Sequence, residues 1–223
     1  MSLIEIHHAH RLLTTCAIVA VLVGCTPQVA EVPASKPAAT AHAPAATATK
    51  APDQPQPDFA YSTLLTKMRG RLRVMHDVAL WKWKNDQPIE DLAREAAILD
   101  EFGELAATQG LNRQQVRQFF QAQIDAGKMI QQTDFEAWKA TPPDTANVRD
   151  LAKEIRPQID LQNVVLLAMW QLATPRLERP ADRQEFATLA EKLLTGDGIT
   201  PAIRAVAIAP LLNFQPGQAE EKE

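Results

Sequence analysis

The chain has 223 residues, 46% of them hydrophobic and 22% charged, with a formal net charge of −4. That length suits one domain of ordinary size plus additional segments. There is no basic excess and no Lys/Arg run, which excludes nucleic acid as the expected partner.

Residues 1–11 are polar and contain Arg11 and three histidines. The stretch LLTTCAIVAVLVGC that follows is apolar but too short to span a bilayer comfortably, the shape of an export signal. Its end, LVGC, resembles a bacterial lipobox. That resemblance implies lipidation of Cys25, which would become the first residue of the mature protein. The alternative is an ordinary cleaved signal with an incidental cysteine. Residues 1–24 are thus expected to be an export signal, and the protein to be periplasmic and anchored through Cys25, or else soluble after export.

Residues 25–58 are almost wholly Ala, Pro, Thr and small polar residues. Such a segment buries too little apolar surface to offset its ordering entropy and reads as a flexible tether. The two cysteines of the chain, Cys16 and Cys25, both lie at the export end, before the helical part. The folded part therefore has no disulfide and no thiol chemistry.

From Phe59 onward the periodic signal is helical. The first helix is predicted over 59–84. It ends before Pro88, whose ring suits the first turn of a second helix, with Glu90 and Asp91 near that helix's positive end. The second helix runs to about Gln109, with Gly110 as a left-handed cap. In LNRQQV, Asn112 and Gln115 have capping-box spacing, and Leu111 and Val116 have staple spacing. A third helix follows to about Lys139, stopped by TPPD. A fourth is predicted over 147–173, kinked or divided at Pro157. Two shorter helices fit 181–195 and 201–212, and residues 216–223 read as a frayed tail. The expected fold is all-α, about six helices over 59–215, the first and third long, in a core block 59–140 and a C-terminal block 147–215.

Several polar residues interrupt apolar faces. Leu64, Met68, Arg71, Met75, Val78 and Lys82 form a heptad-type seam on the first helix. Arg71 and Lys82, eleven residues apart, point the same way, about 16 Å apart along the axis. Either both snorkel to water, or they await a counter-charge that an anionic ligand supplies. Trp81 and Trp83 flank the lysine. Arg69, Arg73 and Lys84 read as surface charges. On the second helix Arg94 and Glu95 lie one turn past Asp91. The third helix carries Val116, Phe120, Gln123, Gly127, Ile130 or Gln131, Asp134 and Trp138 along one side. Gly127 there implies either a close approach by a ligand or a packing contact from another helix.

The series RLRVMHDVALWKWKNDQPIEDLAREAAIL and LNRQQVRQFFQAQIDAGKMIQQTDFEAW resembles the all-helical chorismate mutases. The export signal and the helices beyond AW make it similar to their exported, periplasmic subclass. The resemblance runs from about Arg71 to Trp138 and continues less specifically through VRDLAKEIRPQID. It implies a type II-like helical bundle that rearranges chorismate to prephenate, with no cofactor and no metal. The reaction requires a flexible dianion held in a reactive conformer, and stabilisation of charge developing on an ether oxygen.

The resemblance also implies residue roles. Arg71 pairs with a substrate carboxylate, Lys82 reaches the ether oxygen, and Gln131 donates a second hydrogen bond to it. Arg94 organises the cationic pocket, and Asp91 and Glu95 hold the substrate hydroxyl. Gly127 stands where relatives often have a small hydroxyl residue, and Ile98 where some have a polar one. A last arginine, supplied within the chain in exported members, is expected at Arg149, the alternative being a solvated first-turn residue. Some exported members carry glutamate in place of Gln131; glutamine does not titrate, so a nearly flat rate profile from mildly acidic to neutral pH is expected. Homodimers are common among relatives. Two alternatives stay open: elimination of pyruvate from isochorismate on the same fold, and an inactive lipid-anchored helical scaffold.

Overall fold

The computed structural model describes residues 59–215. The expected signal, Cys25, the tether and the tail lie outside the described residues. Among the described residues every regular element is helical: α1 Phe59–Lys84, α2 Leu92–Thr108, α3 Arg113–Ala140, α4 Arg156–Ala173, α5 Pro180–Leu193 and α6 Pro201–Leu212. A π-helical turn, Leu151–Ile155, leads into α4, and a short 3-10 turn, Thr174–Arg176, leaves it. No helix among the described residues is long and apolar enough to cross a membrane.

α1 and α3 are the long helices, 26 and 28 residues. α3 packs against α1, α2 and α6, while α1 also carries α4 and α5. The core lies between them. Leu64, Leu65, Met68 and Leu72 of α1 are fully buried, as are Val116, Phe119 and Phe120 of α3. Phe102 of α2 stacks on Phe120 with ring centroids 4.3 Å apart. At the far end Trp83 meets Phe135 and Trp138 edge to face, at 5.3 and 5.8 Å, fixing the end of α1 against the end of α3.

Local chemistry sets the boundaries. α2 ends in a Schellman arrangement: Gly110 has φ +71°, its N–H reaches Ala107 O at 3.2 Å, and the Leu111 N–H reaches Ala106 O at 2.9 Å. Asn112 then caps α3 by accepting from the Gln115 N–H at 2.9 Å. Thr200 caps α6 in the same way through the Ile203 N–H.

Two boundaries differ from expectation. α2 begins at Leu92, not at Pro88, because Asp91 is its N-cap. The Asp91 carboxylate accepts from the Arg94 N–H at 3.2 Å, and Glu95 reaches back to the Asp91 N–H at 3.3 Å. Residues 85–91 are therefore a connection, with Asp86 at φ +50°. The fourth helix does not start at 147. Asp150 caps the π turn through the Lys153 N–H, and Pro157 sits in the first turn of α4, where its missing N–H needs no partner.

Candidate active site

The buried stripe of α1 faces a cavity enclosing about 600 Å³, part of it open to solvent. Its walls come from α1, the α1–α2 connection, the start of α2, the middle of α3, and the turn that opens α4. Arg71, Lys82, Asp91, Arg94, Glu95 and Gln131 all line it. Met75, Val78, Ile98, Ile124, Leu151 and Ile159 supply apolar wall.

Arg71 is the deepest cation, 3% exposed. Its Nε donates to Asn163 Oδ1 of α4 at 3.0 Å and its Nη1 to the Gln123 carbonyl of α3 at 2.8 Å. Gln123 is itself held by α6, since its Nε2 donates to Ala207 O at 2.8 Å. The C-terminal helices thus fix the guanidinium that α1 presents. Burial pushes the Arg71 pKa down to about 10.

Lys82, 7% exposed, donates from Nζ to the Ile89 carbonyl of the α1–α2 connection. Burial pulls its pKa down; the charges of Asp91 and Glu95 work against that, and Arg156 and Lys128 reinforce it. Gln131, 4% exposed, donates from Nε2 to Gly127 O at 3.3 Å, and its Oε1 has no hydrogen-bond partner.

The rim cations are each held by a carboxylate. Arg94 pairs with Asp160 of α4. Arg156 pairs with Asp91 at 2.8 Å, and Lys128 with Glu95 at 3.0 Å. Burial alone lowers the Lys128 pKa, but the hydrogen bond and charge of Glu95, joined by Asp125, outweigh it and leave it raised.

Arg149 does not line the cavity. It lies before the π turn, where its Nη1 pairs with Asp77 at 2.8 Å and its Nη2 donates to Gln158 at 2.9 Å. The later arginine that reaches the cavity is Arg156, at the first position of α4. Sequence reasoning also missed Lys128. Its signal was available: Ile124, Lys128 and Gln131 recur at helical spacing on one face of α3. Among the described residues there is no cluster of His, Cys, Asp and Glu that could hold a metal ion.

Comparison with known proteins accords with this arrangement. The family model for chorismate mutase type II matches residues 62–132. A monofunctional chorismate mutase of Enterobacter agglomerans is 36% identical over 153 residues, covering 69% of this chain and 82% of that protein. A secreted chorismate mutase of Mycobacterium tuberculosis is 32% identical over 118 residues, covering 51% of this chain and 59% of that protein. The crystal structure of a chorismate mutase from Burkholderia thailandensis superposes with a TM-score of 0.63 at 31% identity, covering 69% of this chain and 99% of the other. With its six-helix fold and a cavity walled by α1, α2, α3 and α4, the chain belongs to the all-helical, type II chorismate mutase family, in the subclass that contains the secreted members.

Proposed function

We propose that this protein rearranges chorismate to prephenate, with the whole site built from one chain. The observation that carries the reading is the convergence of Arg71, Lys82, Arg94, Lys128, Arg156 and Gln131 on one largely apolar cavity. The substrate is a dicarboxylate. In the reaction one carbon–oxygen bond breaks and one carbon–carbon bond forms as electrons move around a six-membered array. No atom leaves and no proton transfers. The protein has two tasks: to hold the compact conformer, and to stabilise negative charge growing on the ether oxygen.

Arg71 and Arg156 take the two carboxylates, where a guanidinium fork matches the oxygens. Lys82 exchanges the Ile89 carbonyl for the ether oxygen and a neighbouring carboxylate oxygen. Gln131 adds an N–H to the same oxygen. Arg94 and Lys128 raise the positive potential, and Glu95 with the Asp91 backbone receives the substrate hydroxyl. Arg149 has no part in this assignment.

The test is turnover of chorismate by the purified protein and by Lys82→Ala, with isochorismate offered in parallel. Removing one donor at a developing oxyanion costs about 10²–10³ in kcat. Helical circular dichroism should persist, because the lost group is a desolvated cation. Wild-type protein that leaves chorismate untouched, or a Lys82→Ala variant of undiminished rate, would refute the assignment.

The proposal extends to export and assembly. The apolar run ending in LVGC supports export and an anchor at Cys25. Cys25→Ser should shift the full chain from the membrane fraction to the soluble one, and an unchanged distribution would argue against lipidation. A homodimer is supported by α4, which leaves Leu161, Val164 and Leu172 exposed and carries no charged residue between Leu161 and Thr174. Leu161→Lys should halve the mass seen by sedimentation equilibrium; a wild type that already sediments as a monomer would contradict it.

A further inference from the structure

Gly127 and Met75 face each other across the α1–α3 contact beside Gln131. A Cβ on Gly127 would lie 3.0 Å from Met75 Sδ and 3.1 Å from its Cγ, and 3.7 Å from Arg71 Nη1. Van der Waals contact to sulfur does not reach so close without displacement. The thioether therefore rests on bare backbone, in volume that any side chain at 127 would claim. Met75 is 5% exposed and lines the cavity.

The same sulfur touches the carboxamide. Gln131 Nε2 lies 4.0 Å from Met75 Sδ and 3.3 Å from Gly127 O. The Gly127 carbonyl fixes which way the amide faces, since an amide oxygen there would meet another oxygen. Gln131 Nε2 therefore faces both the backbone carbonyl and the thioether, and its two N–H groups allow one to serve each.

We infer that Met75 is a positioning residue for the reaction, acting through Gln131, and that positions 75 and 127 work as one unit. This rests on the reading of the cavity as a chorismate mutase site. Sulfur is a weak, polarizable acceptor. It orients the second N–H of Gln131 without binding it strongly, so the N–H is surrendered readily when a better acceptor, the ether oxygen, arrives. A hydrocarbon of the same bulk leaves that buried N–H with nothing to face, and the amide turns away. A side chain at 127 has a similar effect by pushing the sulfur aside.

The test uses Met75→Leu, Met75→Ala, Gly127→Ser and the Met75→Ala/Gly127→Ser double variant, all in the full chain. Met75→Leu should lower kcat by about tenfold with KM within about twofold, the pattern of an interaction made only in the transition state. Because both substitutions act through the same sulfur, the double variant should lose about tenfold less kcat than the product of the two single losses, a coupling typical of residues in contact. Independent of turnover, the Gln131 side-chain amide resonances, assigned by their loss in Gln131→Glu, should shift in Met75→Leu. The inference is overturned if those resonances stay in place, if Met75→Leu raises KM alone, or if the single effects simply multiply. Failure of the wild type to turn over chorismate would instead remove the functional reading, leaving the amide shift to decide whether Met75 orients Gln131.

Discussion

Replacing Gln131 by glutamate isolates the donor that the proposed chemistry needs. The glutamine is 4% exposed and its Nε2 already faces one carbonyl oxygen, Gly127 O. A carboxylate in that place accepts only; it opposes both the carbonyl and the growing charge on the ether oxygen. It serves the reaction only when protonated, so the rate should follow the protonated fraction. Burial raises such a carboxyl, and the surrounding cations lower it. With an ordinary glutamate value of about 4.3, the protonated fraction falls about 80-fold between pH 5 and pH 7, and about 30-fold if burial wins by one unit. The wild-type amide does not titrate, so kcat/KM should stay nearly flat over the same interval. His76, which does titrate nearby in pH, lies outside the cavity against Asp134 and Asp197. The assay is the initial rate of chorismate loss across that range for both proteins. A wild type that declines in parallel with Gln131→Glu, or a variant that stays flat, would refute the role given to Gln131. At the alkaline end both proteins should lose activity as Lys82 discharges, sooner than an ordinary lysine, because burial lowers its pKa.

Two further predictions follow from contacts. Arg156→Ala removes a cavity cation that the proposal assigns to a substrate carboxylate, so kcat/KM should fall by at least about tenfold, the lower range for a hydrogen bond to a charged group, whereas Arg149→Ala should stay within about threefold because its pair with Asp77, though similarly half-exposed, lies away from the cavity; steady-state kinetics of the two variants side by side decide between them. His76 Nδ1 lies 2.7 Å from Asp134 Oδ2 and Nε2 lies 2.9 Å from Asp197 O, so both ring nitrogens face acceptors and the folded protein favours the imidazolium. The Asp134 hydrogen bond raises the His76 pKa against the opposing effect of burial, while Arg69 and Arg73 of α1 share Asp197. A raised folded pKa gives stability that is complete below the ordinary imidazole value, about 6.5, and is lost as pH rises through the folded value. The melting temperature should therefore fall from mildly acid to mildly alkaline pH, and His76→Asn should flatten that slope; an identical slope in the variant would remove His76 as its source.

What the sequence disclosed depended on how regular the backbone was. Arg71 and Lys82 were legible because eleven residues of unbroken helix return to the same face, and the apolar positions between them marked that face as buried. Asn112 and Gly110 were legible because capping is local. The choice between Arg149 and Arg156 was not. Seven residues separate them, nearly two full turns, so a continuous helix from 147 would place both on one face. The π turn removes that equivalence: the Ile155 N–H bonds to Asp150 O and the Arg156 N–H to Leu151 O, and α4 begins only there. Pro157, read as either a kink or a boundary, marks that beginning. The start of α2 was missed for a tertiary reason. The Ile89 carbonyl is turned toward the Lys82 ammonium, and the Asp91 carboxylate holds both the Arg94 N–H and Arg156. Arg156 lies 65 residues from Asp91, a partner that no local pattern discloses.

The cavity shows a gradient in how its cations are compensated. At the rim, Arg94, Arg156 and Lys128 each meet a carboxylate, with side chains 30%, 39% and 27% exposed. Such half-wet pairs contribute little to stability and exchange partners at small cost. At depth, the partners of Arg71 are a carboxamide and a carbonyl, and that of Lys82 is a carbonyl. Neutral acceptors satisfy the N–H groups but do not cancel the charge; burial is the cause of the lowered Arg71 pKa, and at Lys82 it outweighs the nearby charges of Asp91 and Glu95. An uncompensated buried cation is costly to the folded state, by several kcal/mol in order of magnitude. On the proposed function a dianionic substrate would relieve that cost as it enters, so the deep end of the cavity is the part that would select for negative charge. Under the proposed assignment Lys82 also favours the transition state over the bound ground state, because the ether oxygen it would meet gains charge only as the reaction proceeds.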